Sequence, residues 1–580
     1  MLKKFSWEDY SILLVALAVG VLMIGPSFYF RYFDPAYQGI EFFGSDAESD
    51  YLAQVQEIYD GHWSSGNIYL ADQKDAPYLK QNLSPIIIAM FGKISGLSAR
   101  DINMAVKFVL PALLAILVYW FFAGVFGRKD LAILMAVFVM LVQASWAFLN
   151  PASWPAILLR GEFPGTNASF LSFARPINPQ VSSFFFFGYL LCLWKFLFGL
   201  GQNLKSEKWW GLASAVILGL SFYTYPFAYS FLFAVNGSLA FYFLFLKDWK
   251  QFKKIIYVSL GAVIIGAFYL ISLFKALFSP LYGQAAKIAG VLDTRQFIFS
   301  RVWWGTAAIF FFFYKGPKQA KIFVWAFLAA AFLVTNQQLI TGRTAPVPAH
   351  YHWYYIAPIA GAILLYLAVI HAEKFLRPFW AKAGMALAVL VFLYSGFLFQ
   401  KNSYAAAKED FASLQRYAEP VFWLEKNIPK ESAILANNEL SNLLAGYTRH
   451  NVYSSGYAVN FFITPERQRH LYYLRLFLDG ITRDKAKTYF YENRDWVGGY
   501  FFGQYYRQKN GCYGCFPDVL LEDLLSGYEN FLSRDFLAEL KQYPLDYIVW
   551  DKAKNPEWRM DRFFSKKIYE EDEIIIYSAF

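Results

Sequence analysis

The chain has 580 residues, 57% of them hydrophobic and only 17% charged, with a formal net charge of +10. A water-soluble domain of that size is excluded, because it would carry far more charge and could not hide so much apolar surface. The positive balance does not indicate nucleic acid, since the basic residues punctuate hydrophobic segments, as the positive-inside rule requires.

In chain order, the opening Met1-Leu2-Lys3-Lys4 leads into an apolar run over 10–30. That run is too long for a signal-peptide core and lacks a small-residue cleavage site, so it is expected to stay as the first span. Further apolar runs cover 104–126, 131–149, 181–200, 210–226, 227–246, 255–274, 302–313, 322–333, 354–370 and 383–399. Counted at about twenty residues per crossing, with short and Pro-broken runs admitted, they predict about eleven transmembrane helices. The stretch 84–97 is apolar but short and holds Lys93, which suits an interfacial or re-entrant helix.

Compact basic turns alternate along the chain: Lys3/Lys4, Arg128/Lys129, Lys205/Lys208, Lys247 to Lys254, Lys315 to Lys321 and Lys374 to Lys382. Their side reads as the cytoplasm, which puts the N-terminus inside. Lys275, Lys287, Arg295 and Arg301 run against the rule. An odd span count then places the tail from Lys401 outside, with the loops 31–84, 150–180 and 335–353. Long loops of this kind are where function concentrates.

The first of these loops contains Gly44-Ser45-Asp46-Ala47-Glu48-Ser49-Asp50-Tyr51, followed by Leu52, Val55 and Ile58 at helical spacing. One carboxylate at a helix start is explained by capping and the helix dipole; three are not. Carboxylates this close can share a divalent cation, or pair a base with a metal ligand. Lys80, in the same loop, could touch substrate, as could the stretch 72–75.

Candidate cations for a phosphate lie in the other two loops. Arg160 could equally snorkel to lipid phosphate. Arg175 in Arg175-Pro176-Ile177-Asn178-Pro179-Gln180, and Arg343, have more site-like neighbours. His350 and His352 lack a third metal ligand, so they are expected to hydrogen-bond phosphate or sugar. Asn336, Gln337 and Gln338 close a span, where an amide cluster implies a polar cavity. Tyr223-Thr224-Tyr225-Pro226 is either a break between spans or part of that site. Asn82-Leu83-Ser84 and Asn167-Ala168-Ser169 match glycosylation acceptors, which mean nothing without knowledge of the host.

The tail changes character. Short strands are expected at 433–437, 547–550 and 574–577, and helices at 422–427, 518–525 and 534–540, giving a mixed α/β domain with its own core. Cys192 reads as a small hydrophobe. Cys512 and Cys515 read as a local disulfide, since zinc would need two more ligands.

A first span, a long outer loop with an early acidic motif, a following interfacial helix, many further spans and an outer C-terminal domain resemble the GT-C superfamily of membrane glycosyltransferases. The resemblance covers residues 1–400 as architecture plus one short motif, with 401–580 as an appended extracytoplasmic α/β domain. It implies an enzyme of a prokaryotic cell membrane, of the inverting type. Such an enzyme moves a sugar from a polyprenyl-phosphate-linked donor to a glycan, lipid or protein acceptor on the extracytoplasmic face. It also implies a catalytic carboxylate, acting as the base, in the first loop. Asp46 matches, with Glu48 and Asp50 as alternates, and all three remain possible holders of a divalent metal such as magnesium or manganese. The rival is a transporter or flippase for a lipid-linked glycan, which should show paired intramembrane charges and internal pseudo-symmetry.

Overall fold

The structure, a computed structural model, describes residues 7–44, 47–64, 66–77, 80–148, 150–162, 170–199, 204–512 and 514–580. Lys3, Lys4, Asp46 and the Asn167 triplet lie outside the described residues. Among the described residues, eight helices are long and apolar enough to cross a membrane. Among the described residues each run read as a span lies mainly on helix, and three regions account for the smaller number. The run 131–149 is broken into Lys129–Met140 and Val142–Phe148, Arg301–Phe313 has only 13 residues, and Leu204–Ser221 opens on a charged turn. Outward-facing Ile264 and Phe268 on Trp249–Leu277 are the kind of surface that hydrocarbon, rather than water, covers.

The first helix, α1 (Trp7–Phe33), packs lengthwise on a later one, Ala99–Phe126. Gly20 permits the approach, since a Cβ there would lie 2.8 Å from the Phe108 carbonyl oxygen. Between these two come α2 (Ala47–Tyr59) and α3 (Leu83–Ser95), and Ala99–Phe126 is then α4. Ser98 caps α4 by accepting from the Asp101 amide at 3.1 Å, and Gly127 ends it in the left-handed region. The turn at Arg128 and Lys129 is tied to two other elements. Arg128 binds Glu373 at 2.8 Å, and Lys129 binds Asp9 at 2.6 Å.

The last long helix runs unbroken over Pro378–Leu414, through Gln400 and Lys401, into the tail. There five strands form one sheet: β1 (Ala433–Leu435), β2 (Asn451–Val452), β3 (Tyr547–Asp551), β4 (Lys567–Glu571) and β5 (Ile574–Ser578). Their order is β2-β1-β3-β5-β4, with β2, β1 and β3 parallel and β5 antiparallel to both β3 and β4. Cys512 and Cys515 are joined by a disulfide.

The first loop and the tail share one core. Ile40, Ile68, Tyr69 and Leu70 are buried among Val421, Leu444 and Ile463. The Gln415 side chain accepts from the backbone amides of Gln38 and Ile40 and donates to the Ile40 carbonyl. The Val452 amide donates to the Tyr69 carbonyl at 3.0 Å.

His470 sits inside that domain, 2.8 Å from the Tyr453 hydroxyl. Burial, reinforced by Arg467 and Arg534, pushes its imidazole down to about 3. The folded state therefore holds it neutral. Its contribution is complete above the ordinary imidazole pKa and drains as pH falls from there toward 3. A loss of about 3 kcal/mol is expected by pH 4. Thermal midpoints across that window should fall more steeply for wild type than for His470→Gln. Parallel curves would show that this imidazole plays no part.

Candidate active site

Helix α2 is buried on nearly every side. Leu52, Val55 and Ile58 pack with Ile88 of α3 and with Ile102 and Val106 of α4, while Gly446 of the tail seats against Leu52. An α-helix turns successive side chains by about 100°, so Glu48 and Asp50 face different surroundings. Asp50 looks toward the loop and tail. One of its oxygens accepts from the Tyr69 hydroxyl at 2.8 Å; the other accepts from Gln54 and from Lys80, each at 2.9 Å. Lys80 also lies 3.8 Å from the centre of the Phe461 ring, so its ammonium is held between loop and tail. These three donors hold the carboxylate against the loop and the tail.

Glu48 looks into the bundle and is fully buried. Its Oε2 lies 2.5 Å from Nζ of Lys107, a lysine of α4 that is itself only 3% exposed. Among the described residues neither Glu48 oxygen has an aligned hydrogen-bond partner, so the contact is an ion pair off the hydrogen-bonding line. Lys107 donates to Ser27 of α1 at 3.0 Å. This pair pins the first turn of α2 to two bundle helices. Removing one partner strands a buried charge, which costs about 3–5 kcal/mol. Lys107→Met should therefore lower thermal stability sharply, and adding Glu48→Gln should restore at least half of the loss. Equal instability of single and double variants would refute the pairing.

One turn further along α2, Tyr51 meets Arg175. Arg175 donates to the Tyr51 hydroxyl at 2.7 Å and to the Tyr354 hydroxyl at 3.1 Å, and its guanidinium lies 5.4 Å from the Tyr51 ring centre. Burial raises the Tyr51 phenol above its ordinary value, against the opposing pull of Arg175, so it stays a neutral hydroxyl. His350 continues the group, 2.6 Å from the Tyr225 hydroxyl and with its ring 5.2 Å from that of Tyr354. Among the described residues no carboxylate pairs with Arg175, and its Nε is buried without a partner. The neighbours of this mostly buried guanidinium are phenols and an imidazole, which bring it no counter-charge. Behind Tyr225 and His350 opens a largely apolar cavity of about 600 Å³, walled by their chain neighbours Pro226 and Tyr351 and by Tyr229 and Leu333.

The other sequence-predicted residues fall elsewhere. Arg160 is exposed beside Glu162. Arg343 is at the mouth of the cavity but is paired with Asp293 at 2.8 Å. The Asn336 side chain accepts from the Ile298 amide at 2.8 Å and donates to the Ile298 carbonyl, tying a loop to a helix end. Gln337 donates to the Arg343 carbonyl at 2.6 Å and lines the cavity. His352 is half-buried, two residues beyond His350.

Lys107, Tyr51 and Tyr354 did not emerge from the sequence. The signal for Lys107 was there, since an ionisable residue inside an apolar span is a functional candidate by default. The tyrosines carried none in a chain with 41 of them. As for a metal, no three His, Cys, Asp or Glu side chains converge among the described residues. Asp46, the third carboxylate of the motif, lies outside the described residues.

No family model and no curated protein matches the chain. Solved structures to which it is similar include the following. The oligosaccharyltransferase of Archaeoglobus fulgidus in the apo form is 12% identical, with 97% of this chain and 73% of that one covered and a TM-score of 0.48. The same enzyme tethered with an acceptor peptide containing the NVT sequon is 12% identical, covering 98% and 73%, with a TM-score of 0.47. ArnT from Cupriavidus metallidurans bound to undecaprenyl phosphate is 14% identical, covering 76% and 85%, with a TM-score of 0.41. At these values the likeness carries neither activity nor substrate over to this chain.

Proposed function

We propose that the protein is a membrane glycosyltransferase of the GT-C type. It moves a sugar from a polyprenyl-phosphate carrier to an acceptor at the membrane face that holds the first loop and the tail, read from the basic turns as the extracytoplasmic one. The observation that carries this reading is Arg175: a mostly buried cation with no carboxylate partner among the described residues, set one helical turn from an acidic motif and beside an apolar cavity. An anion with a long hydrocarbon tail matches both the cation and the cavity.

In the proposed reaction the acceptor nucleophile attacks the anomeric carbon and gives up its proton to a carboxylate. The bond between that carbon and the phosphate oxygen breaks with inversion, and the electron pair leaves with the carrier phosphate. Arg175 takes up the negative charge that develops there, with the Tyr51 and Tyr354 hydroxyls as its supports. Asp46 is the proposed base. Glu48, through Lys107, and Asp50, through Tyr69 and Lys80, are positioning residues that fix the start of the helix immediately after it.

Purified protein mixed with a panel of polyprenyl-phosphate-linked sugars should release free polyprenyl phosphate from at least one donor when acceptor is supplied. Absence of release across the panel, with the protein folded, would sink the reading.

A further inference from the structure

The tail holds a second cavity, of about 250 Å³, set against the parallel half of the sheet. After β1 the chain crosses over through the helix Asn438–Tyr447 to β2 on one side, then returns to lay β3 on the other side of β1. The segments leaving β1 and β3 therefore diverge. In open α/β sheets a ligand binds in the crevice outside the carboxyl ends of the strands at such a switch point. The cavity lies there, lined by Asn437 and Asn438 after β1, Ser455 after β2, and Lys554 and Asn555 after β3.

The chemistry of its walls selects a ligand class. Each cation is already met by an anion: Lys554 bonds Glu439, and Arg475 lies 3.5 Å from Asp479. No positive charge is left over for a phosphate. Amides, a hydroxyl and charge pairs offer donors and acceptors together, as a ring of hydroxyl groups requires. Tyr472, Tyr500 and Trp558 supply flat apolar surface, and the Trp558 indole donates to Asp479 at 3.1 Å, holding that carboxylate at the rim. The volume falls below the usual range for drug-sized ligands, about 300–1,000 Å³. We propose that this pocket binds a neutral glycosyl unit.

The pocket is separate from the Arg175 site. The helix Asn438–Tyr447 has its first residue at the pocket, while Gly446 near its far end meets Leu52 of α2. Ten residues of helix span about 15 Å. Binding here does not depend on transfer chemistry, and the test leaves out the lipid donor.

The full chain in detergent is titrated with neutral monosaccharides (glucose, galactose, mannose, N-acetylglucosamine) and with inorganic phosphate, by ligand-observed saturation-transfer NMR. At least one saccharide should bind saturably. Lys554→Ala, an exposed change, and Asp479→Asn, which retains an acceptor for Trp558, should each weaken it about fivefold to tenfold with thermal midpoints unchanged. The proposal is overturned if no neutral saccharide binds the folded wild type, or if both variants bind like wild type. It is overturned equally if inorganic phosphate takes this pocket instead. Saccharide binding that survives both changes but vanishes in Arg175→Gln would place the sugar in the membrane site and overturn it as well.

Discussion

Asp46→Asn is expected to lower transfer by about 10²–10⁴-fold, the usual worth of a positioned general base. Donor binding should stay close to wild type, because the phosphate is held by Arg175 and the tail by the cavity, neither of which this change touches. The loss should therefore appear in kcat with little change in KM. Glu48→Gln and Asp50→Asn should behave differently. Each removes a contact that seats α2, so each should lower thermal stability together with activity, and neither should match Asp46→Asn in kcat at equal folded fraction. If Asp46→Asn transfers at the wild-type rate, the base has been placed on the wrong residue.

Arg175→Gln has the second large expected effect, a loss of about 10²–10³-fold in kcat/KM. Here polyprenyl phosphate itself should bind at least about tenfold more weakly, because the removed charge faces the ligand in ground state and transition state alike. Arg175→Lys should recover only part of this. A guanidinium spans the Tyr51 and Tyr354 hydroxyls with two separate nitrogens, and an ammonium is a point charge that cannot hold both. Tyr51→Phe and Tyr354→Phe should each cost less than Arg175→Gln, since the cation remains. Undiminished lipid-phosphate binding in Arg175→Gln would show that the anion sits elsewhere.

The membrane half was legible in the sequence because hydrocarbon imposes its length on each helix, and apolar runs record it. The acidic helix was legible too: Leu52, Val55 and Ile58 repeat at the spacing of a buried face, and they are buried. What the sequence could not rank were the arginines. Arg175 and Arg343 are both followed by a Pro-containing stretch, yet one meets phenols and the other an exposed aspartate. Those partners are 179 and 50 positions away in the chain. No local pattern encodes such distances. Likewise the amide of Asn336 closes a loop onto Ile298, 38 positions away in the chain. In the tail, the strands rich in Ile and Val were readable. β2 has two residues and β4 reads Lys-Ile-Tyr-Glu-Glu, so neither carries an apolar run to be found.

The most direct test of transfer is a single turnover in sealed proteoliposomes with a polyprenyl-phosphate donor labelled on both the sugar and the lipid. Transfer predicts that the two labels part: the sugar follows the acceptor, free polyprenyl phosphate stays in the bilayer, and Asp46→Asn holds both labels on one molecule. If the labels instead cross the membrane together, with no bond broken, the protein moves its lipid-linked sugar and does not transfer it.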